Sequence, residues 1–237
     1  MSAPFGAVFD MDGVIVDNRK YHVLAWKAFA RKHGVPFDTR HFKDRLFGRV
    51  NREIFMGLYG HALPEAEVIA WAEEKEAFYR SIYKGHVEPA RGLVAFLRRL
   101  ADRGVPAAVA TAAPRVNLDF ALDEAGLRPY FRALVDVGQV LRGKPAPDLY
   151  LKAAEAIGVP AARCVAFEDS YPGLESALAA GMKVVGVTTT HTRRELGQAH
   201  IAVRDFEELD VSRVESLLAA WPRQGLCFPT SHGRRAV

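Results

Sequence analysis

Cysteine is scarce in this chain: of 237 residues only Cys164, inside an apolar run, and Cys227, in an irregular stretch far along, are cysteines. That spacing offers neither a disulfide framework nor a thiolate metal site. No apolar run approaches the roughly 18 residues needed to cross a bilayer, and the N-terminus lacks a basic segment leading into an apolar stretch. A cytoplasmic protein with no membrane partner is therefore expected. A strongly basic body is missing too, although the formal net charge is +4. Three of the 32 lysines and arginines lie in residues 222–237, which hold no acid, so the other 29 face 28 acids. A nearly neutral body leaves no electrostatic footprint for nucleic acid, and none is expected as a partner. The tail itself, with proline, glycine and serine but no apolar periodicity, is expected to be flexible. With 49% hydrophobic residues, the chain can bury a full core, as one large domain or a main domain with an insert.

The most informative feature present is a pair of aspartates. The segment Phe5-Gly-Ala-Val-Phe-Asp10-Met-Asp12-Gly13 reads as a short strand that ends at Asp10, after which Gly13 permits a turn. Two carboxylates so close repel, and a divalent cation on one with a proton on the other relieves the repulsion. That division suggests a nucleophile and a general acid, although Asp-x-Asp-Gly also occurs as a solvated turn.

Periodicity predicts the organisation. Tyr21, Leu24, Ala25, Ala28 and Phe29 recur at helical spacing, and residues 51–59 and 64–83 are helical in period, so no strand is expected between 16 and 86. Beyond Gly92 the pattern alternates. Helices are predicted to about Arg103 and at 115–125, 147–157, 172–180 and 212–221, and strands at 105–110, 133–136, 163–167 and 183–187. Alternation of this kind implies parallel strands joined by helical crossovers, and the first strand must pair with the later ones. The expected fold is a doubly wound, Rossmann-like α/β core of residues 1–15 and 88–221. An α-helical cap at 16–87 interrupts it, and 222–237 follow as the tail.

Open sheets of this type bind ligands beyond the carboxyl ends of their strands. There the sequence places Thr111 before Pro114, Lys144 between Gly143 and Pro145, and Glu168-Asp169 before a helix. Thr111 suits an anion or a helix cap, Lys144 a fixed negative charge, and the acids an oxygen-rich metal site or a helix start.

Together Asp10-Met-Asp12-Gly13-Val14, Thr111, Lys144 and Glu168-Asp169 resemble the four ordered motifs of the haloacid dehalogenase superfamily, over about residues 5–210. The insertion resembles the helical cap of its first subclass. The resemblance implies a Mg²⁺-dependent phosphoryl transfer enzyme in which Asp10 is the nucleophile and Asp12 the general acid/base. Thr111 and the neighbouring backbone at Ala112 would hold the transferring oxygens, and Lys144 would offset their charge. It further implies that Mg²⁺ is held by Asp10, the backbone carbonyl of Asp12 and Asp169, with Glu168 close by. The second aspartate sets the chain apart from the dehalogenases that give the superfamily its name. Within the β-phosphoglucomutase-like branch, the stretch from Asp17 to Lys27 matches cap residues, and His22, Arg52 and Lys75 fall where substrate is bound. The second motif departs from the mutase pattern, because Thr111-Ala112-Ala113-Pro114-Arg115 has no lysine there; Arg115 is the candidate substitute. A phosphatase of small phosphorylated metabolites, sugar phosphates above all, is expected to act as a monomer. The alternatives are a phosphosugar mutase and, more remotely, a non-catalytic phosphometabolite-binding relative.

Overall fold

The computed structural model describes residues 5–42, 46 and 48–219. Its centre is a six-stranded, all-parallel sheet in the order β3-β2-β1-β4-β5-β6. The strands are β1 (Gly6–Phe9), β2 (Ala107–Ala110), β3 (Ala133–Val135), β4 (Cys164–Glu168), β5 (Lys183–Val187) and β6 (Ile201–Val203). The helices are α1 (Arg19–His33), α2 (Thr39–His41), α3 (Asn51–Tyr59), α4 (Glu65–Tyr83) and α5 (Leu93–Asp102), followed by α6 (Arg115–Glu124), α7 (Asp148–Ile157), α8 (Tyr171–Ala179) and α9 (Val211–Ala219).

Side chains of successive strand residues point to opposite faces, so a sheet buried on both sides is apolar along its whole length. Ala7, Phe9, Val165 and Phe167 pack on one face with Phe96 and Leu100 of α5 and Val211 and Val214 of α9. Val8, Cys164 and Ala166 pack on the other with Leu149 and Ala153 of α7 and Leu174 of α8. Phe9 stacks on Phe167 with ring centroids 4.4 Å apart, and such a pair adds about 0.5–1.5 kcal/mol beyond its buried area.

The predicted elements are present with small shifts at their ends. The second strand starts at Ala107 rather than 105, because Pro106 has no N–H for the ladder and only its carbonyl is used, by Ala7 N at 3.0 Å. The third stops at Val135, since Asp136 turns to cap a short 3-10 turn by accepting from Gly138 N. The last helix is described to Ala219; the remainder of its predicted span, the tail at 222–237 and Cys227 lie outside the described residues. One strand was not expected: β6 is three residues long and lies at the sheet edge, too short to carry a period.

Among the described residues, 17–88 contain helices but no strand. This segment leaves and rejoins the core at one place. Val16 bridges Pro89, and Ala90 N donates to Ile15 O at 2.8 Å. Its helices bury an aromatic centre of their own, in which Trp26, Phe29 and Phe55 pack with Trp71. No described helix is long and apolar enough to cross a membrane.

The direction of chain progression across the sheet reverses between β1 and β4, which sit side by side in the register Phe9↔Phe167. Residues just past both strands therefore emerge together, in the crevice where doubly wound sheets take ligands.

Candidate active site

Asp10 follows β1 directly and its N–H donates to Phe167 O at 3.0 Å. Asp10 is 4% exposed, and its carboxylate accepts from Lys144 Nζ at 2.7 Å. The same ammonium donates to Glu168 Oε1 at 2.6 Å, and Tyr150 OH donates to that oxygen at 2.6 Å. Glu168 Oε2 accepts from the N–H groups of Asp169 and Ser170 at 3.1 and 3.3 Å. Glu168 is thus engaged at both oxygens and anchors Lys144. Asp169 Oδ2 accepts from the Thr190 hydroxyl, while its Oδ1 is buried without a hydrogen-bond partner.

Asp10, Glu168 and Asp169 bring carboxylate oxygens within 4.8 Å of one another; with both Glu168 oxygens taken, Asp10 and the Oδ1 of Asp169 are the donors left for a hard divalent cation. Their electrostatics fit that use. Burial pushes Asp10 up to about 8, with Lys144 opposing and Glu168 and Asp12 adding to the rise. Asp169 is also pushed well up, by burial first and then by Glu168 and Asp10. A divalent cation held by these buried carboxylates would offset the cost that burial and their mutual repulsion place on their charge. Burial works against the charge of Lys144 as well, but Asp10 and Glu168 outweigh it and hold its pKa above the usual lysine value.

Gly13 makes this arrangement possible. It has φ +84°, and a Cβ there would collide with the Asp169 carboxylate. Gly13→Ala is expected to weaken divalent-cation binding at least about tenfold, as displaced ligand support does elsewhere. Titration calorimetry checks this, and unchanged affinity would remove Asp169 from the donor set.

Asp12 lies apart from that cluster. Its Oδ1 accepts from Asn18 Nδ2 at 2.5 Å and stands 3.6 Å from His22 Nε2. Burial opposes ionisation of Asp12, yet His22, Asn18 and Lys75 together outweigh it and hold the carboxyl below its usual range. Lys75 Nζ approaches His22 Nδ1 at 3.1 Å and donates to Glu76 Oε1 at 2.8 Å. His22 stacks on Tyr79, with centroids 4.0 Å apart.

A pocket over these groups is lined by Asp10, Asp12, His22, Lys75, Thr111 and Ala112, so six of the residues singled out in the sequence meet in one place. Thr111 is fully buried and its hydroxyl oxygen accepts from Ala113 N at 3.1 Å. Arg52 and Arg115 are not among the lining residues. Arg52 is exposed on α3 and pairs with Glu65, and Arg115 pairs with Asp119 one turn along α6 at 2.8 Å. The arginine that does line the pocket is Arg49, on the loop before α3, within 2.9 Å of Glu53. Sequence reasoning also passed over Asn51 and Glu76, which line the same pocket, and Asn18, Tyr150 and Thr190 beside it. Thr190 has a readable signal: Thr188-Thr189-Thr190-His191 follows a strand in the same way as Thr111 does.

The residues from 6 to 181 match the family model of haloacid dehalogenase-like hydrolases. The chain belongs to that family. Among curated members of the haloacid dehalogenase-like hydrolases, it is 31% identical over 208 residues to a validoxylamine A 7'-phosphate phosphatase of Streptomyces hygroscopicus subsp. limoneus, covering 86% of this chain and 94% of the relative. It is 35% identical over 182 residues to the fructose-1-phosphate phosphatase YqaB of Escherichia coli (strain K12), covering 77% and 95%. A solved structure of β-phosphoglucomutase from Clostridium difficile superposes with a TM-score of 0.82 at 25% identity, covering 90% of this chain and 96% of that one.

Proposed function

We propose that this haloacid dehalogenase-like hydrolase is a Mg²⁺-dependent phosphatase of small phosphorylated metabolites, chiefly sugar phosphates. One observation carries the reading: Asp10 stands at the strand ends beside Asp169 and joined to Glu168 through Lys144, while Asp12, two residues on, is held apart by Asn18 and His22. The names of the curated relatives point to the same substrate class.

In this mechanism a carboxylate oxygen of Asp10 attacks phosphorus and the bond to the leaving alkoxide breaks, with Asp12, protonated once the anionic substrate lies beside it, giving that oxygen a proton. Water then attacks the phosphoryl group on Asp10 and passes a proton to Asp12, which regenerates the Asp10 carboxylate and releases phosphate. Lys144, the Thr111 hydroxyl and the N–H group of Ala112 would face the transferring oxygens. Asp10, Asp169 and the carbonyl of Asp12 would hold Mg²⁺, which when bound would supply positive charge against the anionic substrate. Residues 16–87 serve as the cap over a core of 1–15 and 88–221, a division supported by the paired entry and exit at Ile15–Val16 and Pro89–Ala90.

A sugar hydroxyl in place of water would make the enzyme a mutase, and the likeness to β-phosphoglucomutase favours keeping that second reading. Against it stands Arg115, which points to Asp119 and not into the pocket. A panel of phosphate esters assayed with Mg²⁺, beside β-glucose 1-phosphate isomerisation primed with the bisphosphate, separates the two. Phosphate release from sugar phosphates without isomerisation is expected. Isomerisation as the dominant reaction would overturn the phosphatase reading, and neither reaction would leave a binding protein.

A further inference from the structure

α6 begins directly beyond the Thr111–Pro114 loop, and in its first turn Asn117 is 1% exposed. Both ends of its amide are taken by α4. Asn117 Nδ2 donates to Glu76 Oε2 at 2.6 Å, and Asn117 Oδ1 accepts from Arg80 Nη1 at 2.7 Å. Glu76 and Arg80 are four residues apart and share one helix face, so the amide sits between a carboxylate and a guanidinium that dictate which way round it lies.

The second oxygen of Glu76 extends the connection. Oε1 accepts from Lys75 Nζ and from Asn51 Nδ2, both at 2.8 Å, and Asn51 opens α3 just after the loop that carries Arg49. Lys75 meets His22, and His22 stands beside Asp12. Apolar contacts such as Tyr79 and Tyr83 against Phe120 also hold α4 to α6, but these are non-directional and permit sliding. The buried amide specifies one register, and at the exposed end Gly85 N–H, just past α4, donates to Glu124 Oε2 at 3.2 Å.

We propose that Asn117 is a latch, a positioning residue that registers α4 on α6 and so sets Lys75, Asn51 and His22 around Asp12. Its effect on turnover rests on the phosphatase reading; the latch itself does not.

The test exchanges the two partners. Asn117→Asp puts a second buried carboxylate against Glu76, and the double variant Asn117→Asp with Glu76→Gln rebuilds an amide–carboxylate pair with the roles reversed. Amide hydrogen exchange in α4 and in residues 48–51 reads the register without any substrate. In Asn117→Asp this exchange is expected to quicken at least about tenfold, and kcat/KM for a sugar phosphate to fall at least about tenfold, mostly through kcat. The double variant is expected to regain most of the lost protection from exchange. If it remains as impaired as the single variant, or if Asn117→Asp exchanges like wild type, the latch is overturned. Should Asn117→Asp fail to fold, Asn117→Ser removes the same contacts without adding charge and is read in the same way. A wild-type protein that turns over no ester would overturn the phosphatase reading while the exchange arm still decides the latch.

Discussion

Replacing Asp10 by asparagine is expected to abolish phosphate release, by about four orders of magnitude or more, while leaving the fold intact. The amide keeps nearly the same shape and can still accept from Lys144 Nζ, which lies 2.7 Å from Oδ1, so the local packing survives. It has no anionic oxygen with which to attack phosphorus. Stability should not fall, because burial disfavours the native carboxylate and pushes its pKa up to about 8, and a neutral side chain escapes that penalty. Phosphate release with Mg²⁺ and a sugar phosphate, followed beside thermal unfolding, checks both halves. Turnover persisting in Asp10→Asn would place the nucleophile elsewhere; a cooperative melt with no turnover is the expected pair of results.

Lys144→Met is expected to cost both activity and stability. Lys144 is 1% exposed and bonded to Asp10 and Glu168, so its loss leaves two buried carboxylates without the cation between them. Removing one member of a buried charge cluster typically destabilises by about 3–5 kcal/mol. For a domain of this size that is a fall in Tm of roughly 6–20 °C. Added Mg²⁺ should recover part of the fall, because it supplies positive charge to the same acids, whereas wild type should gain less from it. Turnover should drop by about 10²–10³-fold, the usual scale for loss of one preorganised electrostatic group. Equal melting of the two proteins in the absence of metal would show that Lys144 does not balance these carboxylates.

Both predictions concern residues legible in the sequence, and the reason is local. Asp10, Thr111, Lys144 and Glu168-Asp169 each follow an apolar run, or a short loop beyond one, and strand ends in a parallel sheet converge whatever lies between them in sequence. The cap was harder to read. His22 and Lys75 reach the pocket, yet Arg49 rather than Arg52 lines it. Val50 is extended before α3 starts, so Arg49 stays on the loop side of that turn while Arg52, inside the helix, meets Glu65 at the start of α4. A spacing of three residues cannot say which of two arginines a turn will aim inward.

The sequence alone determined the α/β class, the insertion of helices after the first strand, and the set of acids and lysine at the strand ends. These follow from periods of 2 and 3.6 residues and from the position of polar residues after apolar runs, which are properties of neighbouring residues. Only the tertiary structure decided which partners those groups keep. Glu168 is engaged through Tyr150 and the backbone, Asp169 is held by Thr190, and Asn117 sits between Glu76 and Arg80, 41 and 37 residues away. Such pairings depend on how α4 crosses α6 and where β5 ends beside β4, and packing across the whole chain sets both.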